Sequence, residues 1–252
     1  MAEPLLRLER VSRRFGGLFA VDDVSLAIET GPIAALIGPN GAGKTTLFSI
    51  ISGSLPPSEG RIFYRGTSIT GAPPHLVARR GIVRTFQIAQ PFGSLTVQEN
   101  IAVGAHRSRR SRGDALGAAA EIARMVGLGD LLGRPAASLN LASSKRLEVA
   151  RAIATEPELL LLDEVLAGLN PVEVAAMVPM IRALADRGIT IVMIEHVMQA
   201  VMSLAERVFV LVEGRIVAEG APQAVVGNPR VIEAYLGHGA AARLAPAGGT
   251  HG

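Results

Sequence analysis

An α/β fold with a mainly parallel sheet is predicted by three observations. Short apolar runs rich in β-branched residues alternate with segments of helical period, the order that layers of strand and helix require. Two of those runs, 159–162 and 189–194, are apolar at nearly every position, as strands covered on both faces must be. A glycine-rich turn at 38–43 separates an apolar run from a helical one, which is how a strand, a tight loop and a helix start look in sequence. A length of 252 residues is ample for one such domain with a buried core.

In chain order, Leu5 to Val11 and Phe19 to Ile28 read as strands with turn material at Gly16-Gly17. Pro32 to Ile37 reads as a buried strand ending at Gly38, and Lys44 to Ile51 as the helix beyond the glycine turn. Arg61 to Tyr64 and Ile82 to Thr85 are further strands, so the first third mixes hairpin-like pieces with a strand–loop–helix unit. Residues 90–155 differ: Val97 to Val103, Ala115 to Val126 and Lys145 to Ile153 carry helical period with no strand among them, and the stretch is expected to be an inserted helical lobe. Alternation resumes with the strand Leu159 to Leu162. Pro171, at a first-turn position, opens a helix to Asp186, and Ile189 to Ile194 is another buried strand. Val208 to Val212 and Arg215 to Ala218 flank Glu213-Gly214, a hairpin turn. Residues 1–237 thus form one domain, and 238–252, rich in Ala, Gly, Pro and Thr, are expected to be a disordered tail.

Composition narrows the function classes. There is no cysteine, which excludes thiolate metal sites and cysteine nucleophiles and fits a reducing compartment. The formal charge is +3, yet only two of the 25 basic residues are lysine, Lys44 and Lys145. A lysine in a recognisable chemical setting therefore carries information. The chain is 49% hydrophobic with mean hydropathy +0.36, but it has no uninterrupted run long enough for a membrane span. No basic segment followed by an apolar one marks a secretory signal, so a cytoplasmic protein is expected. Its surplus apolar surface belongs in a large core or against another protein.

The turn reads Gly38-Pro39-Asn40-Gly41-Ala42-Gly43-Lys44-Thr45, followed by Thr46, and has the spacing G-x-x-x-x-G-K-S/T. Glycines let the backbone fold around an anion with its N–H groups inward, and the following helix presents its positive end. Lys44 then reaches the β- and γ-phosphates, and the Thr45 hydroxyl ligates magnesium. Residues 38–46 are the candidate nucleotide-binding set. A second acidic element follows Leu159-Leu160-Leu161-Leu162. Four apolar residues place that strand inside the sheet, so Asp163 emerges at the edge where ligands bind. Asp163 would enter the magnesium shell and Glu164 would act as general base on the attacking water.

With these motifs the chain resembles the nucleotide-binding subunit of an ABC transporter, over nearly all of its length to about Gly237. The resemblance implies an α/β P-loop NTPase core with a mainly parallel sheet, an N-terminal antiparallel β subdomain and the inserted helical subdomain. It implies ATP and Mg2+ as ligands. Gln87, in Arg84-Thr85-Phe86-Gln87, falls at the position that joins the magnesium shell to the membrane partner. His196, in Ile194-Glu195-His196, falls at the histidine that contacts the γ-phosphate and the attacking water, and Phe15 at the aromatic that stacks on adenine. Alone, Gln87 could be a solvated loop residue, His196 a core histidine and Phe15 simple core; their order and spacing after the phosphate loop select the nucleotide roles.

One family element departs from its pattern. Where the family reads Leu-Ser-Gly-Gly-Gln, this chain reads Leu139-Asn140-Leu141-Ala142-Ser143. In the family this segment closes over the ATP of the opposite subunit. The Asn140 amide and the helix end beyond it remain available to an anion, while Leu141 and Ala142 are expected to restrict positive-φ geometry and close backbone approach. After Glu164, Val165 and Asn170 replace the usual proline and aspartate. Three stretches, 145–151, 167–171 and 231–237, together resemble the ATP-binding subunits of branched-chain amino-acid importers. That resemblance implies a dimeric ATPase, with an identical or different second subunit, on the cytoplasmic face of the plasma membrane. Transmembrane permease subunits and, indirectly, a solute-binding receptor would be its partners.

Three alternatives stand beside this reading. Lipopolysaccharide-export ATPases are close relatives of the importers. A soluble ABC ATPase acting on nucleic acid would use the run 106–113 with Arg107, Arg109, Arg110 and Arg112, but no aromatics interleave them and no nucleic-acid partner is expected. A regulatory subunit without catalysis would not need Glu164 and His196, both of which are present.

Overall fold

The computed structural model describes residues 3–85, 91–109 and 111–236. The chain opens with a hairpin of β1 (Leu6–Phe15) and β2 (Leu18–Ile28), whose tip pairs Phe15 with Leu18. It crosses to β3 (Ile33–Ile37) and α1 (Lys44–Ile51) and returns in β4 (Glu59–Tyr64) and β5 (Thr67–Ser68). Next come α2 (Pro74–Arg79), β6 (Ile82–Arg84), and the helices α3 (Val97–Ala105), α4 (Arg112–Met125) and α5 (Leu141–Ile153). The remainder alternates: β7 (Leu159–Asp163), α6 (Pro171–Ala185), β8 (Thr190–Ile194), α7 (Met198–Leu204), β9 (Arg207–Val212), β10 (Arg215–Gly220), α8 (Pro222–Val226) and α9 (Pro229–Leu236).

Two sheets result. The four-stranded one has the order β2-β1-β4-β5 and is antiparallel throughout. The six-stranded one has the order β10-β9-β3-β8-β7-β6, with β6, β7, β8, β3 and β9 mutually parallel. Only β10 runs against its neighbour, joined to β9 by Glu213-Gly214, both at positive φ, the geometry that a two-residue hairpin turn needs.

Both faces of the parallel sheet are covered, which explains its apolar runs. Ala34, Leu36, Leu159 and Leu161 pack with α1 and the antiparallel sheet through Leu6, Leu8, Leu47 and Phe48. Ile33, Ala35, Leu160 and Leu162 face the other way, onto helical residues such as Ile101, Leu147, Met177 and Leu184. The four leucines 159–162 have no exposure at all. Each gains about 2 kcal/mol from burial, enough to hold β7 inside the sheet and to bring Asp163 out at its carboxyl end.

Element starts differ from the sequence expectation where side chains cap helices. The helix expected from Lys145 begins at Leu141, because the Asn140 side chain accepts a hydrogen bond from the Ser143 N–H. The one expected from Ala115 begins at Arg112, where Ser111 accepts from the Asp114 N–H. Leu141 and Ala142 therefore lie in the first turn of α5 with helical backbone. The expected conflict with a positive φ does not arise; leucine and alanine suit a helix better than glycine does. The short helices α2, α7 and α8 span too few residues to show a period. Between β6 and β7 the described chain holds helices and one isolated bridge, Thr96 with Pro135, and α3 packs against both α4 and α5. No helix among the described residues is long and apolar enough to cross a membrane. Gln87 and the tail 238–252 lie outside the described residues.

Candidate nucleotide site

The glycine turn sits between β3 and α1 under severe space constraints. A Cβ at Gly38, where φ is 153°, would lie 2.0 Å from the Leu211 carbonyl oxygen, and one at Gly43, where φ is 103°, would lie 2.0 Å from that of Ala20. Strands β9 and β2 thus press on the loop from outside, and only glycine fits. Gly43 is also the N-cap of α1, with no side-chain cap and no acidic residue in the first turn. The helix's first N–H groups are left for an anion.

Lys44, at the start of α1, is buried, and its ammonium donates to the carbonyl oxygens of Gly38 (2.7 Å) and Pro39 (2.9 Å). Burial pulls its pKa below the usual lysine value, while the carboxylates of Glu164 and Asp163 push the other way. Two neutral acceptors and two carboxylates thus hold a cation at the mouth of the loop.

Asp163, at the end of β7, is fully buried. Its Oδ2 accepts from Arg84 at 2.6 Å, and Arg84 also donates to Ser49 Oγ at 2.8 Å. Ser49 Oγ in turn donates to the Thr45 carbonyl at 2.7 Å. Asp163 Oδ1 is buried without a hydrogen-bond partner. Thr45 and Asp163 line one cavity of about 890 Å³, together with Arg84 and Thr85. A threonine and a carboxylate with one unsatisfied oxygen, both lining one space beside a phosphate loop, are a donor set that fits a magnesium ion, which takes one or two protein oxygens and completes its shell with water and phosphate.

Glu164 follows in a left-handed conformation, φ 51°. Its N–H donates to the Ile194 carbonyl at the end of β8, and its Oε1 lies 2.9 Å from His196 Nε2. Parallel pairing of β7 with β8 sets Asp163 opposite Ile194, so two candidates 32 residues apart in sequence meet at one sheet edge.

Sequence reasoning missed two groups here. Arg84 ends β6, and its role depends on the β6–β7 pairing. Glu195 is almost wholly buried, accepts from the Leu166 N–H at 3.0 Å, and is pushed by burial up to about 7. The sequence signal for its burial is the run of four apolar strand positions, Ile191 to Ile194, immediately before it.

Phe15 is half-exposed at the tip of the β1–β2 hairpin with the Arg13 guanidinium 4.9 Å from its ring centre. The hairpin reaches the phosphate loop through Ala20. Leu139 to Ser143 start α5 beside the 164–170 loop; a Cβ on Gly168 would come within 3.1 Å of Leu141. In the arginine run, Arg107 donates to the carbonyls of Thr155 and Arg79, Arg109 pairs with Glu156, and Arg112 pairs with Glu99.

Comparison with known proteins identifies the family. The family model described as ABC transporter matches residues 21–167, and that of the branched-chain amino acid ATP-binding cassette transporter matches residues 215–241. The chain belongs to the ABC transporter ATP-binding family. The cassette is 40% identical to the high-affinity branched-chain amino acid transport ATP-binding protein LivG of Salmonella typhimurium, over 94% of this chain and 99% of that protein. It is 39% identical to BraF of Pseudomonas aeruginosa, a protein of the same description, with the same coverage. Among solved structures, an ATP-binding cassette of an ABC transporter in its ADP conformation superposes with a TM-score of 0.85 at 32% identity, covering 94% of this chain and all of that one.

Proposed function

We propose that this cassette binds ATP with Mg2+ and hydrolyses it to drive uptake of branched-chain or related amino acids through a membrane permease. The observation that carries the chemistry is the Glu164–His196 contact of 2.9 Å at the same sheet edge as the phosphate loop. It puts a carboxylate, a hydrogen-bonding group that orients it, and a buried cation around one place. The two relatives named above are both branched-chain amino-acid transport proteins, which favours import over envelope-lipid export.

The 38–43 turn and the first N–H groups of α1 would cradle the phosphates, and Lys44 would exchange its carbonyl partners for phosphate oxygens. Thr45 and Asp163 Oδ1 would hold magnesium, joined by Gln87; the ion supplies charge neutralisation on the phosphates when bound. Glu164 would accept the proton of the attacking water, held in place by His196. Phe15, flanked by Arg13, offers a face for adenine. A second ATPase subunit would bring its Leu139 to Ser143 segment to the nucleotide, and the permease would hold the pair at the cytoplasmic face of the plasma membrane, with a solute receptor upstream.

Glu164→Gln is the direct test. Its expected outcome is retained ATP binding with single-turnover hydrolysis lower by about 10²–10⁴-fold. Wild-type hydrolysis by that variant would remove Glu164 as the base.

A further inference from the structure

The chain has two lysines, and both are buried: Lys44 in the phosphate loop and Lys145 on α5. The nucleotide reading uses the first and leaves the second without a task. Lys145 is only 4% exposed, and a long ammonium side chain is not sequestered that far unless its charge is matched. Its Nζ donates to the Glu164 carbonyl oxygen at 3.2 Å. That oxygen also accepts from the Ala167 N–H at 3.1 Å, so both of its lone pairs are engaged.

Glu164 needs such holding. A left-handed non-glycine residue persists only where its surroundings over-determine it. Contacts from outside the turn do so. The Glu164 N–H is tied to Ile194, the Glu164 carboxylate to His196, and the Leu166 N–H to the buried carboxylate of Glu195. Each of these three laces the 164–166 turn to the end of β8. Another, from Lys145, comes from a different element. Lys145 is also near enough to Glu195 to oppose electrostatically the effect of burial on that carboxyl. The ammonium therefore holds the peptide that carries Glu164 and acts through space on the carboxylate that anchors Leu166. One turn earlier, α5 begins with Leu141, which packs beside Gly168 of the same loop.

We propose that Lys145 is a positioning residue for Glu164, setting the place of its carboxylate and tying it to α5. A shift of α5 is then felt at Glu164 through one side chain. The proposal rests on the nucleotide reading above, in which Glu164 acts on the attacking water.

The test compares Lys145→Met and Lys145→Arg in the full-length purified chain, measuring Mg-ATP affinity and single-turnover hydrolysis separately. Lys145→Met is expected to bind ATP within about twofold of wild type and to hydrolyse it roughly 10²-fold more slowly, the scale of a misplaced catalytic group. Lys145→Arg, which keeps the charge and a donor, is expected to recover most of the rate. Should Lys145→Met not fold, the double variant Lys145→Met with Glu195→Gln removes the buried charge imbalance and carries the same expectation. A wild-type rate in folded Lys145→Met, or in the double variant where Lys145→Met does not fold, overturns the proposal, and so does an affinity lost in step with the rate. A wild-type chain that binds no Mg-ATP overturns the nucleotide reading, and this proposal with it.

Discussion

The starts of α1 and α5 are built to opposite specifications. Gly43 leaves α1 without a side-chain cap, whereas Asn140 caps α5 through the Ser143 N–H. Each helix carries one of the two lysines near its start. Lys44 bonds within its own loop, to Gly38 and Pro39, while Lys145 reaches across to the Glu164 carbonyl. The α1 arm thus keeps backbone donors and a cation at the mouth of a cleft for an outside anion. The α5 arm uses the equivalent groups to hold its own chain, including the turn that carries Glu164. A glycine-rich loop is what the first purpose needs, and a capped helix without glycine serves the second. Residues 139–143 are, on this comparison, a side-chain-capped helix start where α1 has a glycine-rich one.

The largest way to break the contrast is at Gly43. Gly43→Ala adds a Cβ 2.0 Å from the Ala20 carbonyl at a φ of 103°. Forcing the backbone apart and paying left-handed strain together are expected to lower stability by about 4 kcal/mol. Urea denaturation reads this directly, and an unchanged midpoint would mean that β2 does not press on the loop.

The same contrast shows what was legible beforehand. The parallel sheet was, because strands covered on both faces must be apolar at successive positions, as 159–162 and 191–194 are. The places of the 38–43 turn ahead of α1 and of Asp163-Glu164 at the end of β7 were, since each directly follows an apolar run. The start of α5 was not: a cap is one polar side chain accepting one N–H, and Asn140 read as part of a motif rather than as a helix boundary. Arg84, the partner of Glu195 and the target of Lys145 were hidden for another reason. Each acts across a strand pairing or a helix packing that brings distant segments together, and no local period encodes the partner.

Glu195 sharpens the comparison through pH. It is the anion buried beside Lys145, raised from 4.5 to about 7 chiefly by burial, with the Glu164 charge adding to the rise and Lys145 opposing it. The folded chain therefore holds this proton more tightly than the unfolded chain does. Stability falls as pH rises from 4.5 to about 7, and above that the full cost of about 3 kcal/mol is present. Glu195→Gln does not titrate and can still accept from the Leu166 N–H. Relative to wild type, the variant is expected to gain little at pH about 5 and about 3 kcal/mol at pH about 8. Parallel pH profiles for the two proteins would place the carboxyl in solvent instead.

The smallest effect isolates the cap itself. Asn140→Ala leaves the first N–H groups of α5 as unpaired as those of α1, at an expected cost of about 1 kcal/mol, whereas Asn140→Ser keeps a capping oxygen and should stay within a few tenths. Both variants are expected to bind ATP as the wild type does, because Asn140 in its own subunit holds α5 and not the phosphate loop. If the capped start must also meet a nucleotide on a second subunit, the Ser143 N–H can turn to phosphate only by leaving Asn140. ATP-driven dimerisation would then be weaker in the wild type than in Asn140→Ala once the stability difference is allowed for. Sedimentation of the Glu164→Gln background with and without Asn140→Ala measures that difference, and equal dimerisation would leave the cap a purely internal bond.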